Sequence, residues 1–127
     1  MKILVLLLIL VVILSAQLAM QKPPAKRISA EEAHKMMLEL KDKDYILLDV
    51  RTEKEFKEKR ISNAILIPDY EIKQRAKAEL TDKNKVILVY CRSGRRSANA
   101  AAELLSLGYT KVYDFGGILD WNYETYP

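Results

Sequence analysis

Residues 86–107 combine an apolar run, a glycine-containing loop and an alanine-rich segment, and this order constrains the fold more than any other part of the chain. The run VILVY at 86–90 is mostly β-branched or aromatic and predicts a buried strand. The segment at 98–107 consists of strong helix formers and predicts a helix. Between them lies CRSGRRS, which begins with Cys91, the only cysteine of the chain. Cys91 is therefore predicted to lie at a strand-to-helix turn.

Strands and helices alternate along the rest of the sequence. The run YILLDV at 45–50 predicts a strand buried on both faces of a parallel sheet. The other predicted elements are helices at 29–41, 52–56, 72–80 and 118–121, short strands at 64–67 and 111–114, and a tight loop at 115–117. This alternation predicts an α/β fold with a parallel central sheet, helices on both faces, and the cysteine loop at the C-terminal end of the central strand.

The first twenty residues differ in composition from everything that follows. Lys2 precedes an unbroken apolar run and a tail of small residues, which predicts a signal peptide at 1–19 with a cut after Ala16 or Ala19. The protein is therefore expected to be exported and periplasmic or otherwise extracytoplasmic. The alternative is an uncleaved membrane anchor formed by residues 3–20.

The remaining chain has room for one domain with a hydrophobic core. A linker is predicted at 20–27, where Pro23 and Pro24 make the chain stiff, and the domain is predicted at 28–127. The net charge of the whole chain is +4, and without residues 1–19, which hold one lysine and no acid, it is 20 − 17 = +3. This charge is mild and is not typical of a nucleic-acid-binding protein. No metal or other cofactor is expected, and the protein is expected to be a monomer.

The loop after Cys91 has the composition of an anion site. Backbone N–H groups and the positive end of a helix dipole point into such a turn, and Arg92, Arg95 and Arg96 add three positive charges. In these surroundings the pKa of a cysteine falls from about 8.5 toward neutrality or below. A thiolate beside an anion site indicates transfer of a group carried by an anionic donor, whereas the alternative is an inert core cysteine.

Several motifs in the stretch from about residue 28 to 127 together resemble the rhodanese family of sulfurtransferases, in particular its small exported bacterial members. The matching stretches are LDVR at 48–51, EF at 55–56, YCRSGRRS at 90–97, LGY at 107–109, GGI at 116–118, Trp121 and the final YP. The resemblance implies that Cys91 takes the outer sulfur of thiosulfate as a persulfide and passes it to cyanide or a thiol.

The resemblance also implies roles for the residues around the cysteine. The implied substrate-binding residues are Arg92, Ser93, Gly94, Arg95, Arg96 and Ser97. Among them, Arg92 and Arg96 are expected to bind the anionic donor, and Arg95 is expected at the rim. Asp49 and Arg51 are expected to form a structural pair that supports the loop rather than to act in catalysis.

One departure from the family pattern and two alternative functions accompany this interpretation. The glycine and histidine that usually precede Ile61 in the family are replaced by Lys59 and Arg60. The contact that the family histidine makes near the site is therefore not expected in this chain. A phosphatase of the same fold would have five residues between cysteine and arginine, whereas four separate Cys91 from Arg96. A non-catalytic persulfide carrier would use the same loop and remains an alternative.

Overall fold

A computed structural model describes residues 1–20 and 25–127, so residues 21–24 of the expected linker lie outside the described part. The helices are α1 (Lys2–Met20), α2 (Ala30–Glu39), α3 (Glu53–Glu58), α4 (Ile72–Glu79) and α5 (Arg95–Ser106). The strands are β1 (Lys26–Arg27), β2 (Tyr45–Asp49), β3 (Arg60–Ile61), β4 (Ile65–Leu66), β5 (Val86–Cys91), β6 (Val112–Gly117) and β7 (Thr125–Tyr126). Short 3₁₀ turns span Asp69–Glu71 and Ile118–Asp120.

Five strands form a parallel sheet in the order β1-β6-β5-β2-β4, which makes β5 the central strand. The predicted α/β fold is thereby confirmed, and the cysteine loop follows the central strand. Lys26 and Arg27, which were expected in the linker, pair with β6 and belong to the sheet. Two charged residues carry no hydrophobic signal, so the sequence did not predict β1.

Side chains of the central strand alternate between two hydrophobic clusters. Ile87 and Val89 pack on the side of α4 and α5, whereas Leu88 and Tyr90 pack on the other side with Phe115. Because both faces are covered, the strand is apolar at every position rather than at every second one. Cys91 continues the alternation and points toward the α4 and α5 side.

Two of the element boundaries that differ from the prediction lie at the cysteine loop. Helix α5 begins at Arg95 and not at residue 98, so Arg95 and Arg96 lie in its first turn. Strand β6 continues through Gly117, where a loop at 115–117 was expected, and its register against β5 shifts between Val89 and Cys91. The shift follows from the positive φ of Gly116, +85°, at a bulge in the strand.

Strands β3 and β7 pair antiparallel outside the main sheet and were not predicted. The guanidinium of Arg60 lies 4.6 Å from the ring centres of both Phe56 and Tyr126, which adds cation–π contacts to this small pair of strands.

The apolar side chains at 3–14 of α1 are exposed. Among the described residues, no helix is both long enough and apolar enough to cross a membrane.

Candidate active site around Cys91

Cys91 is the last residue of β5, and its side chain is 1 % exposed. The backbone N–H of Gly94 donates to its Sγ at 3.0 Å. The hydroxyl oxygen of Ser97, in the first turn of α5, lies 3.5 Å from the same sulfur. The sulfur is thus buried among hydrophobic side chains and still faces polar groups of the loop.

Two glycines allow the tight turn around the sulfur. Gly94 has φ +110°, a conformation that L side chains rarely adopt, and it places its N–H toward Sγ. Gly117 lies against the loop so closely that an added Cβ would be 2.0 Å from the carbonyl oxygen of Arg92. That same carbonyl accepts the N–H of Leu119 at 3.3 Å. The end of β6 therefore fixes the start of the loop.

Burial and hydrogen bonding act in opposite directions on the pKa of the Cys91 thiol. Burial is the largest influence and raises the pKa, but hydrogen bonds from Ser97 and from the N–H groups of Gly94 and Ser93 outweigh it and lower the pKa below its ordinary value. The sequence predicted a lowered pKa from backbone N–H groups, the helix dipole and the arginines together. In the structure the hydrogen bonds from the loop are the influences that lower the pKa of Cys91.

The hydroxyl of Ser97 has three possible acceptors around it. Its oxygen lies 3.0 Å from the carbonyl oxygen of Gly94, 3.3 Å from that of Gly116 and 3.5 Å from Sγ of Cys91. A hydroxyl has one proton to donate, so Ser97 can donate to only one of these acceptors at a time, and a Cys91 thiolate is one of them.

The three arginines of the loop have different surroundings. Arg92 and Arg95 are exposed. Arg96 is held by Glu55 of α3. The two terminal nitrogens of Arg96 donate hydrogen bonds to the two carboxylate oxygens of Glu55, at 2.7 and 2.9 Å. Arg96 is near enough to Cys91 for the thiolate to help raise the pKa of its guanidinium, after the larger effect of Glu55.

The placement of Arg95 and Arg96 opposes the dipole of α5, since cations are unfavourable in the first turn of a helix. Such a local conflict is typical of functional sites. Glu55 offsets part of this unfavourable interaction with the helix dipole, because its carboxylate forms a bidentate pair with Arg96. Glu55 is held in turn by a complete capping box with Thr52.

Asp49 and Arg51 form a buried ion pair at the end of β2. Their side chains are 0 % and 5 % exposed, and the shortest contact between them is 2.6 Å, from Nη2 of Arg51 to Oδ2 of Asp49. The same Nη2 donates to the carbonyl oxygen of Lys59 at 2.5 Å. The guanidinium carbon of Arg51 lies 5.6 Å from the ring centre of Tyr90, the residue before Cys91. The pair therefore lies beside the base of the loop.

A family model matches most of this chain. A rhodanese-like domain matches residues 29–124, which include the whole cysteine loop and the Asp49–Arg51 pair. The chain belongs to the rhodanese family of sulfurtransferases.

Relatives and solved structures agree with this assignment. This rhodanese is 38% identical over 73 residues to the thiosulfate sulfurtransferase PspE of Escherichia coli, covering 58% of this chain and 70% of that protein. It is 33% identical over 97 residues to the thiosulfate sulfurtransferase GlpE of Coxiella burnetii, covering 76% and 86%. A rhodanese-related protein from Thermoplasma volcanium has a similar structure, with TM-score 0.67, 32% identity and 80% and 97% coverage. A rhodanese with anions from E. coli gives TM-score 0.59, 36% identity and 65% and 96% coverage.

Sequence reasoning did not anticipate the roles of three residues of this rhodanese domain. Glu55 belongs to the matching stretch EF at 55–56, but it was not expected to pair with Arg96. Asp114 is buried in β6, where it accepts the N–H of Gly116 at 2.9 Å and contacts Arg27 of β1 at 3.4 Å. Because carboxyl ends of parallel strands share one edge, a search for charged residues at the ends of the predicted strands would have drawn attention to Asp114. No such search would have found Arg27, since its strand β1 was not predicted.

No metal site is visible in residues 1–20 and 25–127, where no group of three or more His, Cys, Asp and Glu side chains could hold an ion. His34 lies on α2, where its ring stacks on Tyr123 at 3.7 Å and meets the edge of Trp121 at 5.7 Å. It therefore packs among aromatic side chains rather than standing alone in solvent.

The pair between Glu55 and Arg96 predicts a pH-dependent contribution to the stability of this rhodanese. The Arg96 guanidinium lowers the pKa of the Glu55 carboxyl from 4.5 to about 2. Because the pKa is lower in the folded state, the ionised carboxylate stabilises the fold fully above pH 4.5, and this effect is lost as the pH falls toward 2. Glu55→Gln is expected to lower the free energy of unfolding by roughly 1 kcal/mol at neutral pH. This loss should become smaller as the pH falls below 4.5.

Urea unfolding of wild type and Glu55→Gln between pH 2 and 7 measures this difference. Glu53→Gln is the matched control, because Glu53 lies on the same helix in an exposed pair with Lys57. A difference between wild type and Glu55→Gln that stays constant down to the most acid pH would contradict the assigned pairing.

Proposed function

We propose that this rhodanese domain is a thiosulfate sulfurtransferase that works through a persulfide on Cys91. The Cys91 thiolate attacks the outer sulfur of thiosulfate, the sulfur–sulfur bond of the donor breaks, and sulfite leaves with the bonding electrons. A thiolate or cyanide then attacks the outer sulfur of the persulfide, which restores the Cys91 thiolate. The two half-reactions split one difficult transfer into two easier ones.

The observation that carries this proposal is the set of donors around Cys91 Sγ. The N–H of Gly94 at 3.0 Å and the hydroxyl of Ser97 stabilise a negative sulfur, and the pKa of the thiol is lowered accordingly. Sulfite departs as an anion and needs no proton, so this chemistry requires a ready thiolate rather than a general acid. The names of the relatives, which are sulfurtransferases rather than phosphatases, support sulfur as the transferred atom.

The donor carries two negative charges, and the charges of the loop suit it. Arg92 and Arg95 are exposed beside Cys91, and Arg96 is fixed by Glu55 within the first turn of α5. In this proposal Arg92 and Arg96 attract the sulfonate end of thiosulfate through charge-assisted contacts, while Arg95 adds positive potential at the rim. Asp49 and Arg51 support the loop and do not contact the donor.

The test is to incubate the purified protein with thiosulfate and then with cyanide. Thiocyanate is the expected product, and after thiosulfate alone the intact mass should rise by one sulfur atom. A mass increase without thiocyanate formation would favour a persulfide carrier that needs a partner protein. No mass increase would contradict thiosulfate as the donor.

We also propose that residues 1–19 direct export of this protein. The exposed apolar side chains at 3–14 and the preceding Lys2 support this, since a long apolar surface needs a membrane or a translocation machinery to bind it. The intact mass of protein recovered from an expressing cell is the test. A product starting after Ala16 or Ala19 is expected, and recovery of the full chain from the membrane fraction would favour the anchor.

A further inference from the structure

Arg27 lies at the cysteine loop although it comes from β1, far from the loop in sequence. Its Nη2 lies so close to two glycines that a Cβ added to Gly116 would be 2.8 Å from it, and a Cβ added to Gly94 would be 3.4 Å from it. Gly94 is the residue whose N–H donates to Cys91 Sγ. The guanidinium of Arg27 therefore covers the backbone of the loop directly beside the nucleophile.

The charge of Arg27 is weakly paired within the described residues. Its one hydrogen bond there goes to Asp114 at the long distance of 3.4 Å, and the other oxygen of Asp114 accepts the N–H of Gly116. Arginine has five N–H donors, and the Arg27 side chain is 60% exposed. By contrast, each terminal nitrogen of Arg96 already gives one of its N–H groups to Glu55. Arg27 thus keeps donors for an anionic group arriving from solvent.

A cavity of about 590 Å³ opens beside Arg27, between the start of α2 and the turn after β6. Its wall also carries the carboxylates of Glu31, Glu32 and Asp120. A negatively charged group entering this space is repelled from those three and attracted to Arg27. The three carboxylates therefore direct such a group toward Arg27, whose Nη2 lies 3.4 Å from the position of a Cβ on Gly94 of the cysteine loop.

We propose that Arg27 is a specificity residue for the acceptor step, where it binds the carboxylate of a small thiol such as an amino-acid thiol. The inference rests on the proposed sulfur transfer. A carboxylate held at Arg27 brings the acceptor sulfur toward the outer sulfur of the Cys91 persulfide. The acceptor thiolate attacks that sulfur, Cys91 leaves as a thiolate, and the acceptor becomes a persulfide.

The test compares cysteine with cysteine methyl ester, which lacks the carboxylate, as acceptors for Cys91 loaded with sulfur from inorganic polysulfide. Loss of the sulfur atom from the protein is followed by mass. In Arg27→Gln the preference for cysteine over its ester, relative to wild type, is expected to fall about tenfold, the usual effect of one charge-assisted hydrogen bond. The intrinsic reactivities of the two thiols cancel because each is compared between two proteins. Arg27→Lys should recover part of the preference.

Lys26→Gln is the matched control, because it removes an equal charge from the neighbouring exposed position of β1. An unchanged preference in Arg27→Gln overturns the inference. So does a rise in the KM for thiosulfate with an unchanged acceptor preference, which would assign Arg27 to the donor. Loading from polysulfide separates these outcomes from failure of the thiosulfate reaction, and a Cys91 that takes sulfur from neither donor overturns both proposals.

Discussion

Cys91→Ser is expected to abolish sulfur transfer and to leave the fold intact. A serine hydroxyl does not ionise near neutral pH, so the attacking anion is lost and the rate should fall by roughly three orders of magnitude or more. The loop donors that now face the sulfur, the N–H of Gly94 and the hydroxyl of Ser97, can bond to the serine oxygen. We therefore expect a loss of stability of only about 1 kcal/mol.

Thiocyanate formation measures the activity, and the fluorescence of Trp121, the only tryptophan and 9% exposed, reports the fold during urea unfolding. Since Cys91 is the only cysteine, iodoacetamide should add once to wild type, abolish its activity and leave Cys91→Ser unmodified. Transfer activity that survives the substitution would exclude the persulfide mechanism.

Strands buried on both faces were the most predictable part of the fold. The run at 86–90 is apolar at every position, and the run at 45–50 is apolar except at Asp49, because helices cover both sides of the sheet. This pattern separates the two runs from surface strands. Strand β1 could not be predicted, because two charged residues join the sheet through backbone pairing with β6 alone. The same holds for β3 and β7, which are two residues each.

The polarity of the cysteine loop could be predicted, but its three-dimensional partners could not. The arginines follow Cys91 in sequence and are visible there, whereas Glu55 lies 41 positions from Arg96. Arg27 and Asp114 are 87 positions apart and meet only because β1 pairs with β6. The early start of α5 was also hidden, since arginines in a first helical turn oppose the helix dipole and argue locally against a helix.

Asp49→Ala is expected to be the most destabilising single substitution among those considered. It leaves the guanidinium of Arg51, a side chain 5 % exposed, without its carboxylate partner. Breaking a buried ion pair in this way costs about 3–5 kcal/mol, because the remaining charge stays desolvated. That is a large part of the stability of a small domain.

Urea unfolding followed by Trp121 fluorescence measures this loss. Lys57→Ala is the control, because it breaks an ion pair that lies at the surface: Lys57 and Glu53 are 3.1 Å apart, and their side chains are 72% and 73% exposed. That substitution should change the free energy of unfolding by less than about 0.5 kcal/mol. A similarly small effect of Asp49→Ala would contradict the supporting role of the buried pair.

Asp49→Asn separates support of the loop from direct catalysis. Asparagine keeps the shape of the side chain and one oxygen for the N–H of Arg51, which Asp49 Oδ1 accepts at 2.9 Å, but it removes the charge. If the pair only holds the loop, the folded fraction of Asp49→Asn should keep a kcat close to that of wild type while its unfolding midpoint falls. A large fall in kcat in fully folded protein would instead place Asp49 in the reaction. The buried pair would then act on the persulfide through Arg51 and Tyr90, whose ring lies beside that guanidinium just before Cys91.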